Sequence, residues 1–239
     1  MPSARPIASR ELIQRKISDL ADLRGYGYHP VRRGDVEYVG QHDHDLEDLV
    51  RCLRERVRSG FELIVAAHSG GGGNVIRLAR KKLGSEIGAY LLLAPSVHPN
   101  APINPKKDLW SDVSVNKRKL AFLSVLNALG LRFWNKSIVL RNDKPAESRH
   151  GRETLEISYR LLLSRTPKAK YERDLRAMTQ PTLVLVGEKD EVFQPGQYAP
   201  MFAENNHAKV SLIRDCDHDG ILSDKAAFRE VESWLRALG

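Results

Sequence analysis

The stretch Ile64-Val65-Ala66-Ala67-His68-Ser69-Gly70-Gly71-Gly72-Gly73 limits what this chain can fold into more than any other. A short apolar run over Phe61–Ala67 predicts a buried strand. It runs directly into one serine, and the glycines then open a helix over Asn74–Lys82. A chain that passes from strand to helix through so sharp a turn brings two backbones close together. The residues two before and two after the serine must then be small, as Ala67 and Gly71 are. The turn presents the Ser69 hydroxyl at a helix N-terminus, where the Gly70 N–H faces any negative charge that develops beside it. So many glycines also suggest a phosphate-cradling loop. The Lys-Ser/Thr pair of a P-loop and the glycine spacing of a dinucleotide site are both missing.

A serine hydroxyl is a weak nucleophile until a base takes its proton. Two later loops offer the partners, each directly after a predicted strand. The run Pro181–Val186 ends in Gly187, and Glu188-Lys189-Asp190-Glu191 follows. Asp190, three residues after the glycine, is the preferred acid, with Glu188 and Glu191 as fallbacks. A strand over Lys209–Ile213 precedes Asp215-Cys216-Asp217-His218-Asp219-Gly220, which makes His218 the candidate base. The order Ser69, Asp190, His218 makes each residue more informative than it is alone. His42 and His44 alternate with Asp43 and Asp45 ahead of a predicted helix. That pattern reads as a solvated N-terminus capped by Asp43 or Asp45 rather than a metal site. His68 is expected to pack or hydrogen-bond within the turn.

Around these motifs, strand and helix signals alternate, which predicts parallel strands joined by helices. Ile7–Arg15 and Asp45–Arg58 have helical spacing, Ala89–Ala94 reads as another buried strand, and Lys225–Leu238 is an amphipathic helix. Between about His98 and Thr179 the pattern turns helical, including Leu120–Leu129 and Leu155–Leu163, with no strand of the core type. Residues 1–97 and 179–239 are therefore expected to form a core, and 98–178 a helical cap inserted where open α/β sheets place their ligands.

The net charge of +8 is carried by that insertion, where Ala101–Met178 holds 17 Lys/Arg against 8 Asp/Glu. The cations come singly or in short clusters, without the aromatic interleaving of a single-strand binder. Nucleic acid is not an expected partner. The basic cap is read as a solvated surface, or as one in peripheral contact with anionic lipid. No apolar run approaches the roughly 20 residues that span a bilayer. Two cysteines, Cys52 and Cys216, match no metal spacing, and no signal peptide is evident. A reduced, cytoplasmic protein without metal or cofactor is the expectation.

With these residues placed, the chain resembles the serine hydrolases of the α/β-hydrolase fold. It is most similar to the lysophospholipase and monoacylglycerol-lipase-like group with its serine aminopeptidase S33-type domain. The matching pieces are Asp22-Leu23-Arg24-Gly25-Tyr26-Gly27, the Ser69 turn, Tyr90-Leu91-Leu92-Leu93-Ala94-Pro95, Pro181–Gly187, Asp217-His218 and the stretch Arg32–Gln41. The resemblance implies a mostly parallel sheet with helices on both faces. It also implies ester hydrolysis through Ser69, Asp190, His218 and the Gly70 N–H. A peptidase-like hydrolase of the same fold and a non-catalytic relative are the alternatives. One piece of the pattern is missing. The family's His-Gly segment, whose loop supplies a second oxyanion donor, does not occur before Ser69. Arg5-Pro6-Ile7-Ala8 looks like the helix after that loop, so the first strands are expected to be absent from an N-terminally truncated chain.

Overall fold

The computed structural model describes residues 21–56, 62–105, 113–143, 147, 149, 151, 153–166 and 170–238. The helix expected over Ile7–Arg15 lies outside them. The chain divides into two compact units. The first comprises Met1–Leu20, Arg51–Pro105 and Lys168–Gly239, and the second Ala21–Val50 and Lys106–Pro167.

The first unit is built on β1 (Ile64–His68), β2 (Ala89–Leu93), β6 (Thr182–Gly187) and β7 (Lys209–Ile213), which pair in that order. All the pairings are parallel. The two central strands, β2 and β6, are nearly continuous apolar runs and are buried along almost their whole length. A parallel strand covered on both faces requires that composition. The outer strands β1 and β7 are only partly buried. Among the described residues, β1 pairs with β2 alone.

On one face of the sheet, Ala89, Leu91, Leu183, Leu185 and Ile213 pack with Ala227, Val231, Trp234 and Leu235 of α7 (Lys225–Ala237). Those four α7 residues recur at helical spacing, so one stripe of the helix faces the sheet. Asp224 fixes where α7 begins, accepting from the Ala226 and Ala227 N–H groups at 2.6 and 3.0 Å. Tyr90, Leu92, Val184 and Val186 alternate with the first set, project to the other face and are equally buried. The buried residues available to that side lie on α2 (Gly70–Leu78), α5 (Tyr171–Ala177) and α6 (Tyr198–Asn205), among them Ile76, Leu175 and Phe202.

The second unit contains the first part of α1 (Gln41–Arg56), then β3 (Val113–Val115), α3 (Lys117–Ala128), β4 (Ile138–Asn142), β5 (Glu156–Ser158) and α4 (Tyr159–Arg165). The three strands form an antiparallel sheet in the order β3-β4-β5. The inserted region is therefore helical with a small sheet added. Its sequence signal was the apolar run Ile138-Val139-Leu140, too short to separate strand from helix by period. The helix expected from Leu155 begins at Tyr159, because Glu156–Ser158 pairs with β4 and the Ser158 hydroxyl caps α4 through the Leu161 N–H. α1 starts before Asp43 and Asp45, so neither caps it. The Gln41 side chain accepts from the Glu37 N–H at 2.7 Å, and Asp45 pairs with Arg24. His42 and His44 are engaged as side chains of this unit, His42 Nε2 with the Arg24 carbonyl and His44 Nδ1 with the Tyr38 hydroxyl, each at 2.9 Å. No described helix is long and apolar enough to cross a membrane.

A charged clamp ties the second unit together. Arg160 on α4 donates through Nε and Nη2 to the two carboxylate oxygens of Asp35, and through Nη1 to the Glu37 carbonyl. Burial would raise the Asp35 pKa, but the Arg160 and Ser158 hydrogen bonds outweigh it and hold the carboxyl below its ordinary value. Asp35→Ala leaves a part-buried guanidinium without its partner and should cost about 2 kcal/mol. A group with a depressed folded pKa stabilises above its unfolded pKa, and that contribution fades as the pH falls through the folded value. Urea unfolding of the two proteins should therefore differ most at neutral pH and converge in acid.

Candidate active site

The chain leaves β1 through Ser69, whose backbone sits at φ 49° and ψ −122°. Side chains with a Cβ rarely take such a conformation, and where one does the surrounding structure must enforce it. The enforcement here is visible. The Ser69 N–H donates to the Leu93 carbonyl at 3.0 Å, and its carbonyl accepts from Gly72 and Ser96 at 2.9 and 2.8 Å. Gly72 is the point of closest approach, since a Cβ there would lie 2.4 Å from the Pro95 Cβ. At Gly71 a Cβ would stand 3.6 Å from that of Ala67, so the pair sets the limit on side-chain size expected from the sequence. Gly70 begins α2 and is exposed. Its N–H is one of the first-turn donors that a helix cannot satisfy internally.

The structure brings Ser69, Asp190 and His218 together within the first unit. His218 Nε2 lies 2.9 Å from Ser69 Oγ, and its Nδ1 lies 2.9 Å from Asp190 Oδ2. Asp190 Oδ1 accepts from the Val192 and Phe193 N–H groups, each at 2.8 Å. With one oxygen held by the backbone, the other is left to orient the imidazole. The two fallback acids are placed elsewhere. Glu191 accepts from the His218 backbone N–H at 3.2 Å, and Glu188 is exposed.

The loop carrying His218 comes this close because Gly187 ends β6. A Cβ at Gly187 would stand 2.2 Å from the Cys216 carbonyl oxygen and 2.8 Å from that of Asp217. The sequence used Gly187 only as a strand terminator, and its spatial neighbour could not be read from spacing. His68, expected to serve the turn, reaches across instead. Its Nε2 lies 3.1 Å from the His218 carbonyl, with the two rings 4.8 Å apart. Phe193 packs edge-on against His218 at 5.5 Å, and the Tyr198 hydroxyl donates to the Pro95 carbonyl at 3.0 Å. Sequence reasoning missed both. The only hint of Phe193 was an aromatic in an otherwise polar loop, three residues after Asp190.

Burial alone would lower the His218 pKa, but the Asp190 hydrogen bond, supported by the charges of Asp190, Asp219 and Glu191, raises it. For Asp190, burial acts upward and is outweighed by His218 and the two backbone donors, so its carboxyl stays ionised. Burial holds His68 below its ordinary value and so keeps it neutral beside His218. Atoms of His68, His218 and Asp219 lie within 4.8 Å of one another. Asp219 faces solvent and His218 is already engaged on both nitrogens. These three donors do not make a closed metal shell.

A hydroxyl, an imidazole and a carboxylate in this sequence can pass a proton off the serine and hold the resulting imidazolium. The family described as serine aminopeptidase, S33 matches residues 18–225. Among solved structures, a monoacylglycerol lipase from Paleococcus ferrophilus is 17% identical, with 91% of this chain and 82% of that one covered at a TM-score of 0.62. A soluble variant of monoglyceride lipase from Saccharomyces cerevisiae, in complex with a substrate analog, is 16% identical over 91% and 76% at 0.62. A thermophilic esterase from Thermogutta terrifontis is 19% identical over 91% and 78% at 0.54. At these identities the three share the fold. The search of curated proteins finds no match.

Gly187→Ala should push the His218 loop away from Ser69. A misplacement of about 1 Å costs on the order of 100-fold in rate, which steady-state kinetics would read as a fall in kcat with the fold intact by circular dichroism. A reacting His218 must be neutral, so activity should fall as the pH drops through its raised pKa. Asp190→Asn removes the group that raises it. The acid limb of the pH–rate profile should then move to lower pH, while the plateau falls roughly 10⁴-fold.

Proposed function

The chain belongs to the serine aminopeptidase S33 family of α/β hydrolases, and from that premise we propose that it hydrolyses carboxylic esters through an acyl-enzyme on Ser69. The supporting observation is the unbroken contact from Asp190 through His218 to Ser69, 2.9 Å at each step. His218 Nε2 takes the hydroxyl proton as Ser69 Oγ attacks the ester carbonyl. The Gly70 N–H steadies the oxyanion. His218 then returns the proton to the departing alkoxide, leaving the acyl group on Ser69. A water activated by the same imidazole releases the acid and restores the hydroxyl. Asp190 holds the Nδ1–H tautomer throughout and stabilises the imidazolium.

Lipid-like esters, of the monoacylglycerol or lysophospholipid kind, are the proposed substrates. Their support is the resemblance of the sequence to that group, together with two structural relatives named as lipases of such esters. Residues 1–97 and 179–239 would form the catalytic core and 98–178 a cap that selects the substrate. A reduced, cytoplasmic setting accords with two free cysteines, Cys52 and Cys216. The family description itself favours a second reading, cleavage of an N-terminal amino acid from a peptide. Comparing a p-nitrophenyl ester with an amino-acid p-nitroanilide distinguishes the two, since the same triad would serve both and only the preferred substrate differs.

A fluorophosphonate probe should label the wild-type chain at Ser69. Ser69→Ala should lose labelling and on the order of 10⁶ in kcat, as when a triad acts as a unit. Ester turnover that survives in Ser69→Ala would place the nucleophile elsewhere. Folded protein that neither labels nor turns over would identify a non-catalytic relative.

A further inference from the structure

Between Val113 and Asn142 the second unit holds six cations, Lys117, Arg118, Lys119, Arg132, Lys136 and Arg141, and no acid. Arg141 pairs with Glu156 at 3.0 Å. The other five make no ion pair among the described residues.

The same stretch is apolar on more sides than its packing uses. Leu123 of α3 is buried against Val139 and Tyr159, with Leu120 and Leu126 packed on the same cluster. On the adjoining side of the helix, Phe122, Val125 and Leu129 follow one another at spacings of three and four and are 60%, 59% and 70% exposed. Residues so spaced lie along one stripe. A helix that is apolar around most of its circumference needs an apolar neighbour on each side. Among the described residues, the structure supplies it for Leu123 and not for Phe122.

Beyond α3 the chain turns at Gly130, φ 82°, and presents Leu131, Phe133 and Trp134 to solvent. The Phe133 and Trp134 rings lie 3.8 Å apart. This turn is pinned. The Leu131 N–H donates to the Leu126 carbonyl at 2.9 Å, and buried Asn135 donates to Arg132 O and Asn127 Oδ1 at 3.0 and 2.7 Å. Six exposed large apolar side chains within 13 residues exceed the single scattered residues normal for a surface.

We propose that this face docks on the surface of a bilayer that carries anionic lipid. Aromatic rings at the headgroup level, aliphatic side chains below them and unpaired cations around them are what an interfacial segment requires. A second copy of the chain is a poorer occupant, because a symmetric contact would set the five cations against themselves. A polyanion matches the charge but offers no apolar phase for Val125, Leu129 and Leu131.

The proposal is independent of the reaction proposed above, and Ser69→Ala protein should bind membrane as the wild type does. The test is sedimentation of the full chain with vesicles of phosphatidylcholine alone, and with about one third phosphatidylglycerol. Binding should require the anionic lipid and weaken with salt. Trp134 emission should shift to the blue and be quenched by brominated acyl chains, a response lost in Trp134→Phe. Replacing Lys117, Arg118 and Lys119 by Gln should lower partitioning on the order of 100-fold, about fivefold for each cation. Phe122→Ser with Leu129→Ser should leave circular dichroism unchanged and remove the emission shift. The proposal fails if the chain does not bind anionic vesicles at low salt, or if these variants bind as the wild type does. It fails equally if the face proves to drive self-association with no response to lipid.

Discussion

The backbone at Ser69 is the constraint on which the rest of the first unit depends. A residue with a Cβ is held at φ 49° between a strand and a helix, which costs of order 1–3 kcal/mol at that residue alone. Its neighbours hold it there. Leu93 at the end of β2, Gly72 in α2 and Ser96 after Pro95 each hydrogen-bond to the Ser69 backbone. The parallel pairing of β1 with β2, His68 opposite Leu93, places the Leu93 carbonyl where the Ser69 N–H can reach it. Sheet register, the glycine at position 72 and the placement of the Ser69 hydroxyl are thus parts of one arrangement. A change at any of them acts on the others.

A second close approach, at the ends of β6 and β7, brings His218 to the site. Register again sets the frame, with Gly187 opposite Ile213 in the β6–β7 pairing, so the two loops leave the sheet side by side. The absence of a side chain at Gly187 lets the Cys216–Asp217 backbone lie against the end of β6. His218 is then fixed on every side, by Asp190 on one ring nitrogen, by Glu191 on its N–H, and by His68 and Phe193 on its carbonyl and ring. Three carboxylates around one imidazole favour its protonated form. That favours the imidazolium which the proposed proton transfer from Ser69 would create, at the expense of activity in acid.

The parts of this arrangement legible in the sequence are those that repeat a local rule. The elbow shows as small residues around a serine, the core strands as apolar runs, and α7 as an apolar stripe at helical spacing. Asp190 stood out from Glu188 and Glu191 by its position three residues past Gly187. What stayed hidden depends on partners distant in sequence. Nothing local marks Gly187 as the seat of the 216–217 backbone, or His68 as a partner of the His218 carbonyl. The second sheet was hidden for a different reason. β3 and β5 are three residues each, too short for a period-2 signal, and only pairing to β4 makes them strands. The start of α1 was displaced likewise by side-chain contacts of Gln41 and His42 that composition does not announce.

Charge in this protein is divided between two uses. In the first unit, buried Asp190 is paired with buried His218. In the second, the Asp35–Arg160 clamp is satisfied, while the cations around α3 are left in solvent beside apolar side chains. The account as a whole stands on the first use, the poised Ser69 hydroxyl. Its most direct measurement is intact-protein mass spectrometry of the chain quenched in acid during turnover of an activated ester. The account predicts a mass increase equal to the acyl group, mapped by proteolysis to the peptide containing Ser69 and absent when Asp190 is replaced by Asn on the same time scale. Turnover with no acyl group on Ser69, or with one on another residue, would contradict it.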